Sequence, residues 1–237
     1  MKNNKVAYIT GGTKGIGLGI AKALVDAGYQ VAISGRNKED SVKIAHSIGN
    51  ENQIIGLGSD VRNREDEENA IATIKKHFGR LDIVIANAGL GIFDNIRDLK
   101  DEDWHAMIDT NLTGVFHTIK ASVEDLIENK GYFFTIASLA GINFFKNGSG
   151  YNASKFAVVG FTQAVMLDLR AHGVKTTAIL PGSVTSYFNN HEPNEKKDAW
   201  KIQPEDIGQL VVDLLAMHPR ALPSKIEIRP TQTADML

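Results

Sequence analysis

Tyr151 and Lys155 stand four residues apart in Gly150-Tyr151-Asn152-Ala153-Ser154-Lys155, a spacing that puts both side chains on one helix face, a turn apart. A phenol ordinarily titrates near pH ~10, and an ammonium beside it stabilises the phenolate and lowers that value. The pair is therefore expected to give or take a proton near neutrality. Taken alone, Y-x-x-x-K also describes an exposed tyrosine lying on a lysine stem. A second candidate for chemistry is Thr10-Gly11-Gly12-Thr13-Lys14-Gly15-Ile16-Gly17, which follows the apolar run Val6 to Ile9 and leads into Ile20-Ala21-Ala23-Leu24. Glycines between a strand and a helix let backbone N–H groups approach a pyrophosphate at the positive end of the helix. The spacing G-x-x-x-G-x-G differs from G-x-G-x-x-G, so the dinucleotide reading rests on the strand–turn–helix context.

The next strand bears on which dinucleotide. An acid about 20 residues after the turn would bind the 2′-OH of NAD, whereas an Arg accommodates a 2′-phosphate. Here Val31-Ala32-Ile33-Ser34 runs into Gly35-Arg36-Asn37, with no acid at the strand end. With Lys14 as a second cation on the same side, NADP is expected over NAD. The plainer alternative makes Arg36 a solvated loop residue.

Groups so far apart in the chain need a scaffold. Seven short apolar runs read as strands: Val6 to Thr10, Val31 to Ser34, Ile54 to Leu57, Ile83 to Ala86, Tyr132 to Ala137, Thr176 to Leu180 and Ile226 to Ile228. Between them Ile16 to Ala27, Lys38 to Ile48, Arg64 to His77, Asp103 to Glu128, Ser154 to Ala171 and Glu205 to Met217 repeat at helical spacing, which implies parallel βαβ units. The expected fold is one α/β Rossmann-type domain over 1–237, a doubly wound sheet of about seven parallel strands with helices on both faces. Residues 183–203 are polar, irregular and placed after a strand end, so they read as a substrate-binding lid.

Composition narrows the partners. Lys plus Arg number 26 against 28 Asp plus Glu, a formal net charge of −2, so no overall field draws the chain to nucleic acid or anionic lipid. With no cysteine there is no disulfide framework or thiolate site, and the 7 histidines fall at no metal-ligand spacing. No metal is expected. Val6 to Ile9 is too short for a signal segment or a membrane span, so the chain is read as cytoplasmic.

Together with the glycine turn, Asn87-Ala88-Gly89 after the fourth strand, Asn111 in Thr110-Asn111-Leu112, Ser138 thirteen residues before Tyr151, and Pro181-Gly182-Ser183-Val184-Thr185 after the sixth strand, the chain resembles the short-chain dehydrogenase/reductase family over nearly its whole length. The resemblance implies a catalytic tetrad of Asn111, Ser138, Tyr151 and Lys155. In it Tyr151 exchanges the proton, Ser138 holds the substrate oxygen, Lys155 binds the nicotinamide ribose and lowers the Tyr151 pKa, and Asn111 holds a water linking Lys155 to solvent. It also implies cofactor contacts from Gly11, Thr13, Lys14, Gly15, Ile16, Gly17, Arg36, Asp60, Val61, Asn87, Ala88, Gly89, Tyr151, Lys155, Pro181, Gly182, Val184 and Thr185. The implied substrate is a small carbonyl or alcohol compound, and the implied assembly a homodimer or homotetramer.

Some residues have plainer uses. Asp60 suits a turn cap, Asp101-Glu102-Asp103 a helix start, and Phe144-Phe145 and Tyr187-Phe188 either a substrate pocket or packing. The family often carries Asn-Asn-Ala-Gly where this chain has Ala86-Asn87-Ala88-Gly89. Its Lys225 to Gln232 segment resembles reductases of varied small alcohols and ketones, which weakens a second reading as a 3-oxoacyl-carrier-protein reductase. A non-catalytic NADP sensor ranks last, because Tyr151 and Lys155 are both present.

Overall fold

The computed structural model describes residues 4–233 and Met236; the N-terminal Met1-Lys2-Asn3 and the other residues outside that range lie beyond the description. Seven strands, β1 (Val6–Thr10), β2 (Gln30–Gly35), β3 (Ile54–Gly58), β4 (Ile83–Ala86), β5 (Tyr132–Ile136), β6 (Lys175–Pro181) and β7 (Lys225–Ile228), form one sheet in the order β3-β2-β1-β4-β5-β6-β7. All pairings are parallel. The helices between them are α1 (Gly15–Asp26), α2 (Lys38–Ile48), α3 (Arg64–Phe78), α4 (Asp101–Ile108), α5 (Gly114–Asn129), α6 (Ser149–Leu169) and α7 (Pro204–Ala216).

Each inner strand is apolar on both sides because both faces of the sheet are covered. Val6 and Tyr8 of β1 enter one core layer with Ile71 and Ile74 of α3, Val115 and Ile119 of α5 and Val158 of α6. Ala7 and Ile9 enter the other with Ile20 and Leu24 of α1, Ala45 of α2 and Ile207 and Val211 of α7. The chain therefore reverses its winding at β1 and β4, which lie side by side. A crevice opens there beyond the strands' carboxyl ends, where open α/β sheets bind ligands.

Three elements differ from their sequence reading. The single helix expected over Asp103 to Glu128 is α4 and α5 joined by a π-helical turn, Asp109–Thr113. Its wider i→i+5 bonding accommodates one extra residue, and Asn111 within it is buried. Helix α6 starts at Ser149 instead of Ser154, which puts Tyr151 in its first turn. The 183–203 segment is less irregular than expected. Val184 and Ile202 form a parallel bridge, and Asp198 accepts from Lys201 Nζ at 2.6 Å and from the Asn194 N–H at 2.9 Å, with His191 Nε2 at 2.6 Å.

One polar hub sits inside the first core layer. Glu67 is fully buried, accepting from Tyr8 Oη at 2.8 Å, Ser59 Oγ at 2.6 Å and Thr118 Oγ1 at 2.8 Å. Burial raises its pKa above the ordinary carboxyl range, and these three hydroxyl donors pull it back. The hub ties the loop after β3 to β1, α3 and α5. No helix among the described residues is long and apolar enough to cross a membrane.

Candidate active site

An open cleft of about 1830 Å³ runs along the carboxyl ends of the strands. At its centre the β1–α1 turn uses its glycines for backbone geometry. Gly11 and Gly15 have φ of +64° and +54°, a left-handed conformation that side chains disfavour. A Cβ on Gly17 would press on the Gly11 carbonyl and Asn87 Nδ2. The start of α1 has neither a side-chain cap nor an acid in its first turn, so its N–H groups are open to an anion. Gly11, Thr13, Lys14, Gly15 and Ile16 line the cleft, while Gly17 is buried behind them.

Asn87 fixes this turn to β4. Its Nδ2 donates to the Thr10 and Gly11 carbonyls at 2.8 and 3.0 Å, and the Asn87 and Ala88 N–H groups both donate to Thr10 Oγ1 at 3.0 Å. Asn87, Ala88 and Gly89 line the cleft.

The end beside β2 and β3 carries positive charge. Lys14 and Arg36 face it from exposed positions, and so does Arg62, which the sequence reading missed. Asp60 accepts from Arg62 Nε at 2.9 and 3.1 Å. The Arg62 hydrogen bond holds the Asp60 carboxyl below its ordinary value, with the Arg36 charge adding to the effect. An acid followed two residues later by Arg was the available signal. Asp40 at the start of α2 shares this rim, but β2 itself ends in Gly35. The loop behind is held at three points: Ser59 Oγ to Glu67, the Asp60 N–H to Asp66 at 3.0 Å, and the Val61 carbonyl with His117 Nδ1 at 2.9 Å.

At the opposite end Ser138, Tyr151 and Lys155 line the cleft together. Tyr151 and Lys155 are 8 % and 5 % exposed, so their ionised forms are costly. Burial pushes the phenol up to about 12, against a pull from the Ser138 hydrogen bond, and pushes the Lys155 amine down to about 8. This corrects the expectation that the ammonium lowers the phenol. Lys155 Nζ donates to the Ile136 carbonyl at 3.0 Å and lies 5.8 Å from the Tyr151 ring centre, so among the protein's own groups desolvation outweighs attraction.

Asn111 is near this end but its side chain does not line the cleft. Its Oδ1 accepts from the Leu90 N–H at 2.8 Å, and its Nδ2 donates to the Leu90 carbonyl at 2.8 Å and to Ser154 Oγ at 3.0 Å. Asn152, missed in the sequence, plays a matching part by donating to the Ala140 and Asn143 carbonyls, both at 2.7 Å. That holds the segment after Ser138 against α6. Pro181, Gly182 and Val184 line the cleft. Thr185 does not; its Oγ1 accepts from Gln203 Nε2 at 3.0 Å. Phe144, Phe145, Tyr187 and Phe188 do line it, as does Phe93. Among the described residues no three His, Asp or Glu side chains gather as metal ligands.

Residues 5–197 match the family model for short chain dehydrogenase. The chain belongs to that family. It is 34% identical to an uncharacterized oxidoreductase of Staphylococcus aureus (strain MW2) over 96% of this chain and 97% of that protein. An uncharacterized oxidoreductase of Staphylococcus saprophyticus is 32% identical with the same coverage. Among solved structures it is similar to an alcohol dehydrogenase from the archaeon Thermococcus sibiricus complexed with 5-hydroxy-NADP, with TM-score 0.89, 30% identity and 96% and 97% of the two chains covered. It is similar also to a serine dehydrogenase complexed with NADP+, with TM-score 0.86, 27% identity and 94% of each chain. A 3-ketoacyl-(acyl-carrier-protein) reductase from Brucella melitensis shares the fold at TM-score 0.87 and 23% identity, over 97% of each chain. As a short-chain dehydrogenase the protein is an oxidoreductase, and its cleft fits a nicotinamide dinucleotide: open helix amides and a glycine-rich turn at the centre, cations at one end, and Ser138, Tyr151 and Lys155 at the other.

The pKa of Lys155 carries a stability consequence. A folded value near 8, below the ordinary 10.5, means that the fold bears a buried ammonium at neutral pH, and this cost disappears as pH rises through both values. Lys155→Met is therefore expected to be more stable than the wild type at pH 6 by up to roughly 3 kcal/mol, with the gap closing towards pH ~10.5. Urea unfolding at a series of pH values measures this.

Proposed function

We propose that the protein is an NADP(H)-dependent oxidoreductase that interconverts a carbonyl compound and a secondary alcohol, with Tyr151 as general acid and base. The observation that carries the reading is the shared placement of Tyr151, Lys155 and Ser138 at one end of a cleft whose other end is cationic. A bound nicotinamide supplies or accepts the hydride. In reduction Tyr151 Oη donates its proton to the substrate oxygen, and in oxidation it takes that proton back. A phenol held near 12 stays protonated at neutral pH, which suits the donor role. Ser138 Oγ directs its hydrogen to the same oxygen and polarises the carbonyl. Lys155 binds the ribose hydroxyls of the cofactor and offsets the charge of the phenolate. Asn111, through Leu90 and Ser154, braces the floor beneath them.

Preference for NADP(H) rests on Arg36 and Lys14, joined by Arg62, at the end where a 2′-phosphate would lie, and on the lack of an acid at the end of β2. The similar alcohol and serine dehydrogenases were solved with NADP-type cofactors. Residues 183–203 act in this reading as the lid over the substrate end. The carrier-protein alternative has only the exposed Lys196 and Lys197 in its favour. A cytoplasmic location belongs to the same proposal.

Self-association is a further part of the reading. Helices α5 and α6 carry Phe116, Phe156 and Leu167 at 40%, 37% and 59% exposure, apolar surface that pairing of these helices across a two-fold would cover. Light scattering is expected to give a dimer or tetramer mass, and a monomer at assay concentration would remove the idea.

Tyr151→Phe keeps the ring and removes the transferable proton, so turnover is expected to fall by at least ~10²-fold while the NADPH dissociation constant stays within about twofold. Single-turnover absorbance and fluorescence titration measure the two quantities, and retained turnover would sink the acid–base assignment. Arg36→Ala should weaken NADPH by roughly 10- to 100-fold through loss of a charged hydrogen bond, with little change for NADH. An unaltered ratio of the two affinities would leave Arg36 a surface residue without a cofactor role.

A further inference from the structure

The chemistry around the Tyr151 phenol is strongly one-sided. Phe93 from the loop after β4, Phe145 from the segment before α6 and Phe188 from the 183–203 lid come from separate stretches of chain and converge on its ring. Their centroids lie 5.4, 6.4 and 5.4 Å from that of Tyr151. Phe93 also meets Phe145 edge to face at 5.2 Å and Phe188 at 6.2 Å. Beneath them Met107 and Ala140 complete an apolar floor. The rings are not sealed in a core, because all of them line the open cleft.

The cations that could greet an acidic substrate are elsewhere or engaged. Lys14, Arg36 and Arg62 belong to the opposite end of the cleft. Lys201 Nζ is 2.6 Å from Asp198, which His191 also contacts, and Arg229 is paired with Glu227 at 3.0 Å. Lys155 is directed at the Ile136 carbonyl. A carboxylate attached near the reacting carbon would thus lose water among phenylalanines without gaining a free cation. A flat apolar group would meet ring edges and faces at the spacing aromatic pairs adopt.

We propose that the cleft is built for an uncharged ketone or secondary alcohol bearing an aryl group or an apolar group of similar bulk, in preference to an oxo or hydroxy acid. This deepens the reading above and rests on it, since it presumes that Tyr151 is the group that meets the substrate oxygen. Phe93 and Phe188 are then specificity-determining residues, and closure of the lid through Phe188 couples substrate bulk to exclusion of water.

The test compares acetophenone, 2-butanone and 3-oxobutanoate as substrates with NADPH, alongside direct NADPH titration. The expected kcat/KM for acetophenone exceeds that for 3-oxobutanoate by at least ~100-fold and that for 2-butanone by at least ~10-fold. Phe93→Ala and Phe188→Ala should lower kcat/KM for acetophenone about tenfold more than for 2-butanone, with NADPH affinity nearly unchanged. Phe93→Leu, which keeps apolar volume without the flat ring, should move the same ratio in the same direction by a smaller factor, and the wild-type preference stands as its own test if an alanine variant does not fold. Equal or better turnover of 3-oxobutanoate would overturn the proposal, as would acetophenone left unreduced by an enzyme that binds NADPH, or a loss in the Phe variants shared equally by both ketones. Failure to bind NADPH, with all three substrates inert, would instead overturn the nicotinamide reading beneath it.

Discussion

The side-by-side endings of β1 and β4 are the constraint on which the rest depends. Right-handed crossovers carry the chain to one face after β1 and to the other after β4, so the loops leaving these strands diverge and cannot fill the space between them. The glycine turn stands on one side of that crevice and Asn87-Ala88-Gly89 on the other, and the hydrogen bonds of Asn87 and Thr10 hold the two walls together. Helix α1 can therefore aim uncapped N–H groups into the cleft without support from its own side chains. The remaining parts of the site are arranged around this gap.

Three asparagines do much of that arranging. Asn87 grips the β1 turn, Asn111 grips Leu90, and Asn152 grips Ala140 and Asn143. Each ties one stretch of loop or turn to another element, and the amide suits the task because it can both donate and accept while remaining uncharged. Where burial is as deep as at Asn111, a charged side chain would add a desolvation cost that an amide avoids. The π-helical turn at Asp109–Thr113 belongs to the same device, since it is the local distortion that accompanies Asn111 facing inward.

The cleft is sorted along its length. Charge gathers at the end near β2 and β3, where Arg62 and Asp60 form a fork beside Arg36, and aromatic rings gather around Tyr151. At the aromatic end Lys155 is a buried amine, and burial is the origin of its stability cost. Desolvation brings its pKa to about 8, so that it remains mostly protonated at neutral pH.

The sequence by itself determined the strand and helix alternation, the parallel sheet and the position of the glycine turn, because each of these follows from local periodicity or from residue types with few physical uses; the further site residues were named only through the resemblance to a family. Gly11 and Gly15 became legible through the strand before them and the helix after them, and Tyr151 and Lys155 through the motifs that accompany them. Tertiary structure alone decided how these groups feel one another. The rise of the Tyr151 pKa comes from burial, and Lys155 donates to the Ile136 carbonyl; spacing encodes neither. The withdrawal of Asn111 and Thr185 from the cleft depends on partners at Leu90, Ser154 and Gln203. Phe93 went unread for the same reason: its importance lies in meeting Phe145, Tyr151 and Phe188 from other segments, and a one-dimensional pattern carries periodicity along the chain but no distances across it.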